Sequence, residues 1–277
     1  MQTRRISYIE LIRELNSGGT SKVYLGVNTL TGYLVAVKEL DAQLFKNLEI
    51  RSLFINEANR YLDLEHPNIV KLDNLLLLPN HDTGYLVMEY IEGKNLKEYI
   101  NGVTGPLPFS NAAMILSEAL NAIDFAHEQD IIHNDIKPSN IMLTDSDPTE
   151  IKVIDFGISI DKNEQQVLSN MYTPYYASPE QTFHGHPVDK RTDIYSMGIT
   201  LYELVVGHPP FTGKNLSRTE LIEKVRTQKV PEVKNTEPFN EPYLDIMNKI
   251  IQKATHKDPD FRYQSCREFK DELELLF

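Results

Sequence analysis

The sequence predicts an α+β protein with two lobes: a small strand-rich lobe over residues 1–88, a hinge at 89–93 and a larger, mainly helical lobe over 94–277. Two observations carry this. Before Gly93 the apolar residues fall in short runs rich in β-branched and aromatic side chains, bounded by turn residues. Beyond Gly93 they recur at the helical period over long stretches. No internal repeat, low-complexity tract or long linker interrupts the 277 residues.

In the first lobe, residues 22–27 and 33–40 read as strands, with Thr31 and Gly32 forming a hairpin turn between them. A second strand pair is expected at 69–77 and 84–90, joined by the polar stretch 79–82. One helix, at 48–64, separates the pairs. It stops ahead of His66-Pro67 because proline disfavours helical backbone at the residue before it. In the second lobe, Ile115, Leu116, Ala119, Leu120, Ile123 and Ala126 mark one face of a helix over 110–129, with Ser110 as its N-cap. Further helices are expected at 192–206, 216–225, 243–253 and 265–276.

Composition narrows the function. Apolar residues at 41 % and charged residues at 25 % are ordinary for a globular chain. The formal charge of −12 argues against a nucleic-acid binder, which needs Lys and Arg to neutralise phosphate, and leaves two readings open, a role in solubility alone or a preference for basic peptide substrates. A single cysteine, Cys266, rules out an internal disulfide and a cysteine zinc cluster. That fits a reducing, cytoplasmic setting. No run approaches the roughly 18 apolar residues of a membrane span; the leucines at 75–78 are far too few. The opening residues lack the apolar core of a signal peptide.

The chemistry-bearing residues lie in His133-Asn134-Asp135-Ile136-Lys137-Pro138-Ser139-Asn140, followed fifteen residues later by Asp155-Phe156-Gly157. Upstream, Val35-Ala36-Val37-Lys38 ends a strand, and Glu57 follows nineteen residues after Lys38 on the expected helix. In this order and spacing the chain resembles the eukaryotic-type (Hanks-type) protein kinases over nearly its whole length, leaning toward bacterial members. The resemblance implies a bilobal fold and transfer of the γ-phosphate of ATP to Ser/Thr hydroxyls of proteins, the chain itself included. It assigns Asp135 to the acceptor hydroxyl's proton and Lys137 to the γ-phosphate. Lys38, fixed by an ion pair with Glu57, is assigned to the α- and β-phosphates. Asn140 and Asp155 are assigned to magnesium, with manganese as the alternative ion.

The family's glycine-rich pattern, G-x-G-x-x-G-x-V, aligns with residues 16–23. Only Gly18 matches, with Asn16 and Ser21 in place of the outer glycines. Asn accepts positive φ better than most residues, which leaves room for a tight turn there. The resemblance places Val23, Ala36 and Met142 around adenine, Met88 behind it, and the backbone of Glu89 and Ile91 along the base edge. It also stacks Tyr61, Leu72, His133 and Phe156, which makes His133 a packed core residue.

Small-molecule kinases share these groups but usually lack the long peptide-binding segment, which here runs from Asp155 to Glu180. In it, Thr173 matches the threonine that bonds the catalytic Asp and Lys in serine/threonine kinases, and Lys137 points the same way. Ser178-Pro179-Glu180 stands for the usual A-P-E, with Arg262 as the partner of Glu180. The stretch beginning at Asp193 matches a buried helix bracing the catalytic loop. Asn134 replaces the usual Arg and cannot make its charge-assisted pair with a phosphate. Activity is therefore expected not to depend strongly on phosphorylation of the segment, for instance at Ser169. Tyr172 replaces the usual glycine. The alternative is an ATP-binding pseudokinase or scaffold, whose mark would be loss of Lys38, Asp135, Asn140 or Asp155; all four are present.

Overall fold

The computed structural model describes residues 4–18, 21–78, 82–145, 150–156, 174–183, 186–213, 216–234 and 243–277. They form two compact units, one holding the described residues up to Glu92 and the other those from Gly93 onward.

The first unit is built on an antiparallel sheet of β1 (Arg5–Ile6), β2 (Ile9–Ser17), β3 (Ser21–Asn28), β4 (Leu34–Leu40), β5 (Leu72–Leu77) and β6 (Gly84–Glu89), in the order β1-β2-β3-β4-β6-β5. The β3–β4 turn forms where the sequence predicts it. Asn28 Oδ1 accepts the N–H groups of Leu30 and Thr31 at 3.0 and 3.3 Å, and Gly32 takes φ +79°. Alternation along β4 then divides the sheet's two faces. Val35 and Val37 join Ile6, Ile9, Leu11, Tyr85 and Val87 in a core cluster. Ala36 and Lys38 therefore share the opposite face, where Ala36 pairs with Met88 and Lys38 with Val23 and Leu86.

Two helices follow β4: α1 (Ala42–Lys46) and α2 (Leu48–Leu62). The sequence did not predict α1. Asp41 caps it, its Oδ1 accepting the N–H groups of Gln43 and Leu44 at 2.8 and 3.2 Å. Phe45 of α1 meets Phe54 of α2 edge to face, with ring centroids 6.2 Å apart. The predicted helix at 48–64 ends two residues early, at Leu62.

The second unit carries a small sheet of β7 (Gly93–Asn95), β8 (Ile141–Thr144) and β9 (Ile151–Val153). Its helices are α3 (Leu96–Tyr99), α4 (Phe109–Glu128), α5 (Arg191–Val206), α6 (Arg218–Thr227), α7 (Leu244–Ala254) and α8 (Cys266–Leu273). Ser110 is not the cap of α4. Pro108, at φ −55° and ψ 149°, holds that position, since proline accepts the extended backbone of a helix entry, and Ser110 lies inside the first turn. The helix predicted from 216 starts at Arg218, behind a capping box in which Ser217 and Glu220 serve each other's backbone N–H. Helix α5 is buried along nearly all its length, polar residues included. Gly198 makes this packing possible, because a Cβ there would lie 2.7 Å from Thr255 and 2.8 Å from Ala254. Among the described residues no helix is long and apolar enough to cross a membrane.

Candidate active site

The chain leaving α4 runs into the segment 131–137, and a buried carboxylate fixes its course. Asp193, in the first turn of α5, is fully buried. Its Oδ1 accepts the Asn134 N–H at 2.8 Å. Its Oδ2 accepts the His133 N–H at 2.8 Å and bonds His127 Nε2 at the same distance. Three bonds satisfy a charge that burial alone would make very costly. They hold Asn134 at φ +65°, a left-handed conformation that Asn tolerates better than most residues.

His133 turns away from solvent. Its Nδ1 accepts the Asp135 N–H at 3.3 Å and its Nε2 faces the Ile154 carbonyl at 3.1 Å, which fixes a neutral Nε2–H tautomer. Burial pushes the imidazole pKa below its ordinary value, outweighing nearby Asp193 and Asp135. The ring lies 4.7 Å from that of Phe156. His133 is thus the packed histidine that the sequence predicts.

Asp135 follows with a side chain 52 % exposed, open enough to meet a ligand. Lys137 Nζ lies 2.6 Å from its Oδ2. Asn140 is nearly buried in the 3-10 turn Pro138–Asn140. Its Nδ2 donates to the Asp135 carbonyl at 2.8 Å and to Oδ2 at 3.2 Å, which turns its own carbonyl oxygen the other way. The Ile154 N–H bonds the Asn140 backbone carbonyl at 2.9 Å. Asp155, one residue on and at φ +55°, is therefore delivered beside this group. An amide oxygen and a carboxylate make a hard, sparse donor set. It suits a cation that keeps waters and takes phosphate oxygens, not a caged transition metal. Among the described residues no group of three or more His, Cys, Asp or Glu is placed to hold a metal ion.

In the first unit, strand register brings Val23, Ala36, Lys38 and Met88 to one face. Glu89 donates its backbone N–H to the Lys71 carbonyl at 3.0 Å and accepts the Lys71 N–H on its carboxylate at 2.7 Å. The Gly18 N–H bonds the Ser21 carbonyl at 2.9 Å and tightens the β2–β3 connection. Asn16 is not the site of a positive-φ turn. It lies in β2, opposite Val23. A Cβ on Gly18 would meet only the Ser21 carbonyl, at 3.8 Å, so the protein's own packing does not demand glycine there.

The end of the expected peptide-binding segment is tied down repeatedly. Tyr176 donates its hydroxyl to buried Glu203 at 2.5 Å, and Lys97 pairs with the same carboxylate. The Tyr176 carbonyl accepts the Ser196 hydroxyl at 2.8 Å. Glu180 and Arg262 form two parallel bonds of 2.7 and 2.8 Å. Burial alone would raise the Glu180 carboxyl, but Arg262 outweighs it and holds the pKa below the ordinary value.

Residues 9–272 match the family described as protein kinase domain. The chain belongs to the protein kinase family. This kinase domain is 35 % identical over 271 residues to the serine/threonine-protein kinase PrkC of Bacillus subtilis, covering 97 % of this chain and 40 % of PrkC. It is also 35 % identical over 271 residues to the serine/threonine-protein kinase PknB of Mycolicibacterium smegmatis, covering 95 % and 42 %. The chain thus spans less than half the length of these relatives. The crystal structure of the PknI kinase domain of Mycobacterium tuberculosis shares the fold at a TM-score of 0.76 and 24 % identity, covering 100 % of this chain and 99 % of that one. Members of the family use ATP and a divalent metal ion.

Within this kinase domain the structure gathers Asp135, Lys137 and Asn140, places Asp155 one residue beyond the Ile154–Asn140 bond, and separately gathers Val23, Ala36, Lys38 and Met88. Met142 lies in β8, paired with Asn95 and Lys152. Ile91 follows β6 in the first unit. The Glu57 side chain, Gly157, Ser169, Tyr172 and Thr173 lie outside the described residues. The sequence analysis missed His127, whose link to Asp193 spans 66 residues, and the Lys97–Glu203–Tyr176 group. Neither has a local sequence signal, because each partner alone reads as an ordinary helix or loop residue.

Proposed function

We propose that this domain transfers the γ-phosphoryl group of ATP to serine and threonine hydroxyls of protein substrates, itself among them, in the cytoplasm. The observation that carries the proposal is the Asp135 carboxylate, bonded by Lys137 and Asn140 and held by a backbone anchored on buried Asp193.

Phosphoryl transfer asks a protein mainly for alignment and charge neutralisation. Asp135 orients the acceptor hydroxyl and takes its proton. Lys137, already beside Asp135, neutralises charge on the transferred group while keeping the carboxylate in place. Lys38, with Glu57 as partner, holds the α- and β-phosphates. Asn140 and Asp155 would hold magnesium, with manganese as the alternative. When bound, the ion supplies charge neutralisation at the phosphates. Gly18, flanked by Asn16 and Ser21, covers the phosphates with backbone. Val23, Ala36 and Met88 offer adenine an apolar face in the first unit, with the backbone of Glu89 and Ile91 along its edge, and the family resemblance assigns Met142 to the base as well. The family resemblance assigns Thr173 to a bond with Asp135 and Lys137.

Phosphopeptide mapping after incubation with ATP and magnesium tests this, with Lys38→Ala as control. The expected result is phosphoserine and phosphothreonine on the wild type and on an added basic protein, and none with the variant. Equal labelling by Lys38→Ala, or none by either, would contradict the proposal.

A further inference from the structure

We propose that Gln181 is a positioning residue for phosphoryl transfer: its side-chain amide locks the end of the peptide segment to the backbone immediately ahead of Asp135. The proposal rests on the kinase function above and names how that site is held in register.

Gln181 is half-buried in the 3-10 turn Glu180–Thr182 and uses both ends of its amide. Its Oε1 accepts the Ser178 N–H at 2.9 Å and the Ser178 hydroxyl at 3.3 Å. Its Nε2 donates to the Asn134 carbonyl at 3.0 Å. Ser178 is itself fully buried, with its hydroxyl 2.5 Å from that of Thr192 on α5. The neighbouring Glu180 is fixed on Arg262. Gln181 thus reaches the catalytic loop from a rigid base.

The point it reaches is decisive. The peptide unit between Asn134 and Asp135 is planar, so its two polar groups set the direction in which Asp135 leaves the backbone. Gln181 holds the oxygen of that unit and His133 Nδ1 accepts its N–H. Without Gln181 the oxygen end is released, at a residue in the left-handed region that depends on its bonds to stay there. The Asn134 side chain does not supply the link. Its Oδ1 is one of the buried atoms without a hydrogen-bond partner among the described residues, and its Nδ2 reaches only the Ile132 carbonyl, at 3.5 Å. One neutral amide therefore couples the segment that presents the acceptor to the residue that takes its proton.

Gln181→Glu separates this role from simple capping of the turn. A carboxylate still accepts from Ser178 but sets a negative oxygen against the Asn134 carbonyl. Coupling predicts a fall in kcat of about tenfold or more, with the ATP KM within about twofold and the melting temperature nearly unchanged. Gln181→Ala, which removes the link without setting a charge against the Asn134 carbonyl, should also lower kcat with the ATP KM again within about twofold. A variant kcat within about twofold of wild type, or a loss wholly explained by ATP KM, overturns the proposal. A wild-type domain that transfers nothing overturns the kinase function first and this proposal with it.

Discussion

The Arg262 guanidinium meets the Glu180 carboxylate through two parallel bonds, with the guanidinium side chain wholly buried. Its remaining N–H groups go to the carbonyls of His256, Arg191 and Lys257, so all five donors are used. Removing one partner strands a charge in a dry site. Arg262→Ala should therefore lower unfolding free energy by about 3–5 kcal/mol in urea titration. A loss of about 1 kcal/mol or less would mean that the pair behaves as a surface contact.

Asp193 acts through the backbone that carries Asp135. In Asp193→Asn at most one side-chain oxygen remains, and the NH2 group faces a donor it cannot serve. The expected result is a fall in kcat of about tenfold or more with ATP affinity retained, as for lost positioning. If kcat holds while only the melting temperature falls, Asp193 is structural alone.

Lys257 provides a pH signature. Its Nζ bonds the Val225 carbonyl at 2.8 Å over the rings of Tyr195 and Phe211. Burial first, and Arg262 second, bring its pKa from 10.5 down to about 8. Between these values the unfolded chain binds the proton that the folded protein has released, so stability rises with pH across that window. The melting temperature of wild type relative to Lys257→Met should climb from about pH 8 to about pH 10. A flat difference would contradict the depressed pKa.

Asn134 stands where the family resemblance expects an arginine, and its backbone is held without one. Its N–H goes to Asp193 and its carbonyl accepts from Gln181. Phosphatase-treated enzyme should keep kcat within about threefold of the untreated form. A loss of about a hundredfold in folded Ser169→Ala would contradict this.

The grouping of Asp135, Lys137 and Asn140 was legible because they lie within six residues and one turn brings them together. The Lys38 face was legible because strand alternation fixes which residues share it. β1 and β2 were not, since register shifts between Leu11 and Arg13 and between Glu14 and Asn16 break the period of two. The start of α4 was misread because Ser110 has a capping side chain, whereas the backbone bends two residues earlier at Pro108. The Asp193 brace was foreseen from the resemblance, whereas its His127 partner and the braces around Glu203 and Gln181 depend on partners from 27 to 106 residues distant, which no local pattern encodes.

The most direct test of the whole account is single-turnover transfer from γ-labelled ATP to a serine-containing protein by Asp135→Asn, with ATP binding measured in parallel. The account predicts near-normal ATP affinity and a transfer rate reduced about a hundredfold or more, as the acceptor loses its proton acceptor. Transfer at close to the wild-type rate would show that Asp135 is not the group at which the acceptor hydroxyl is activated.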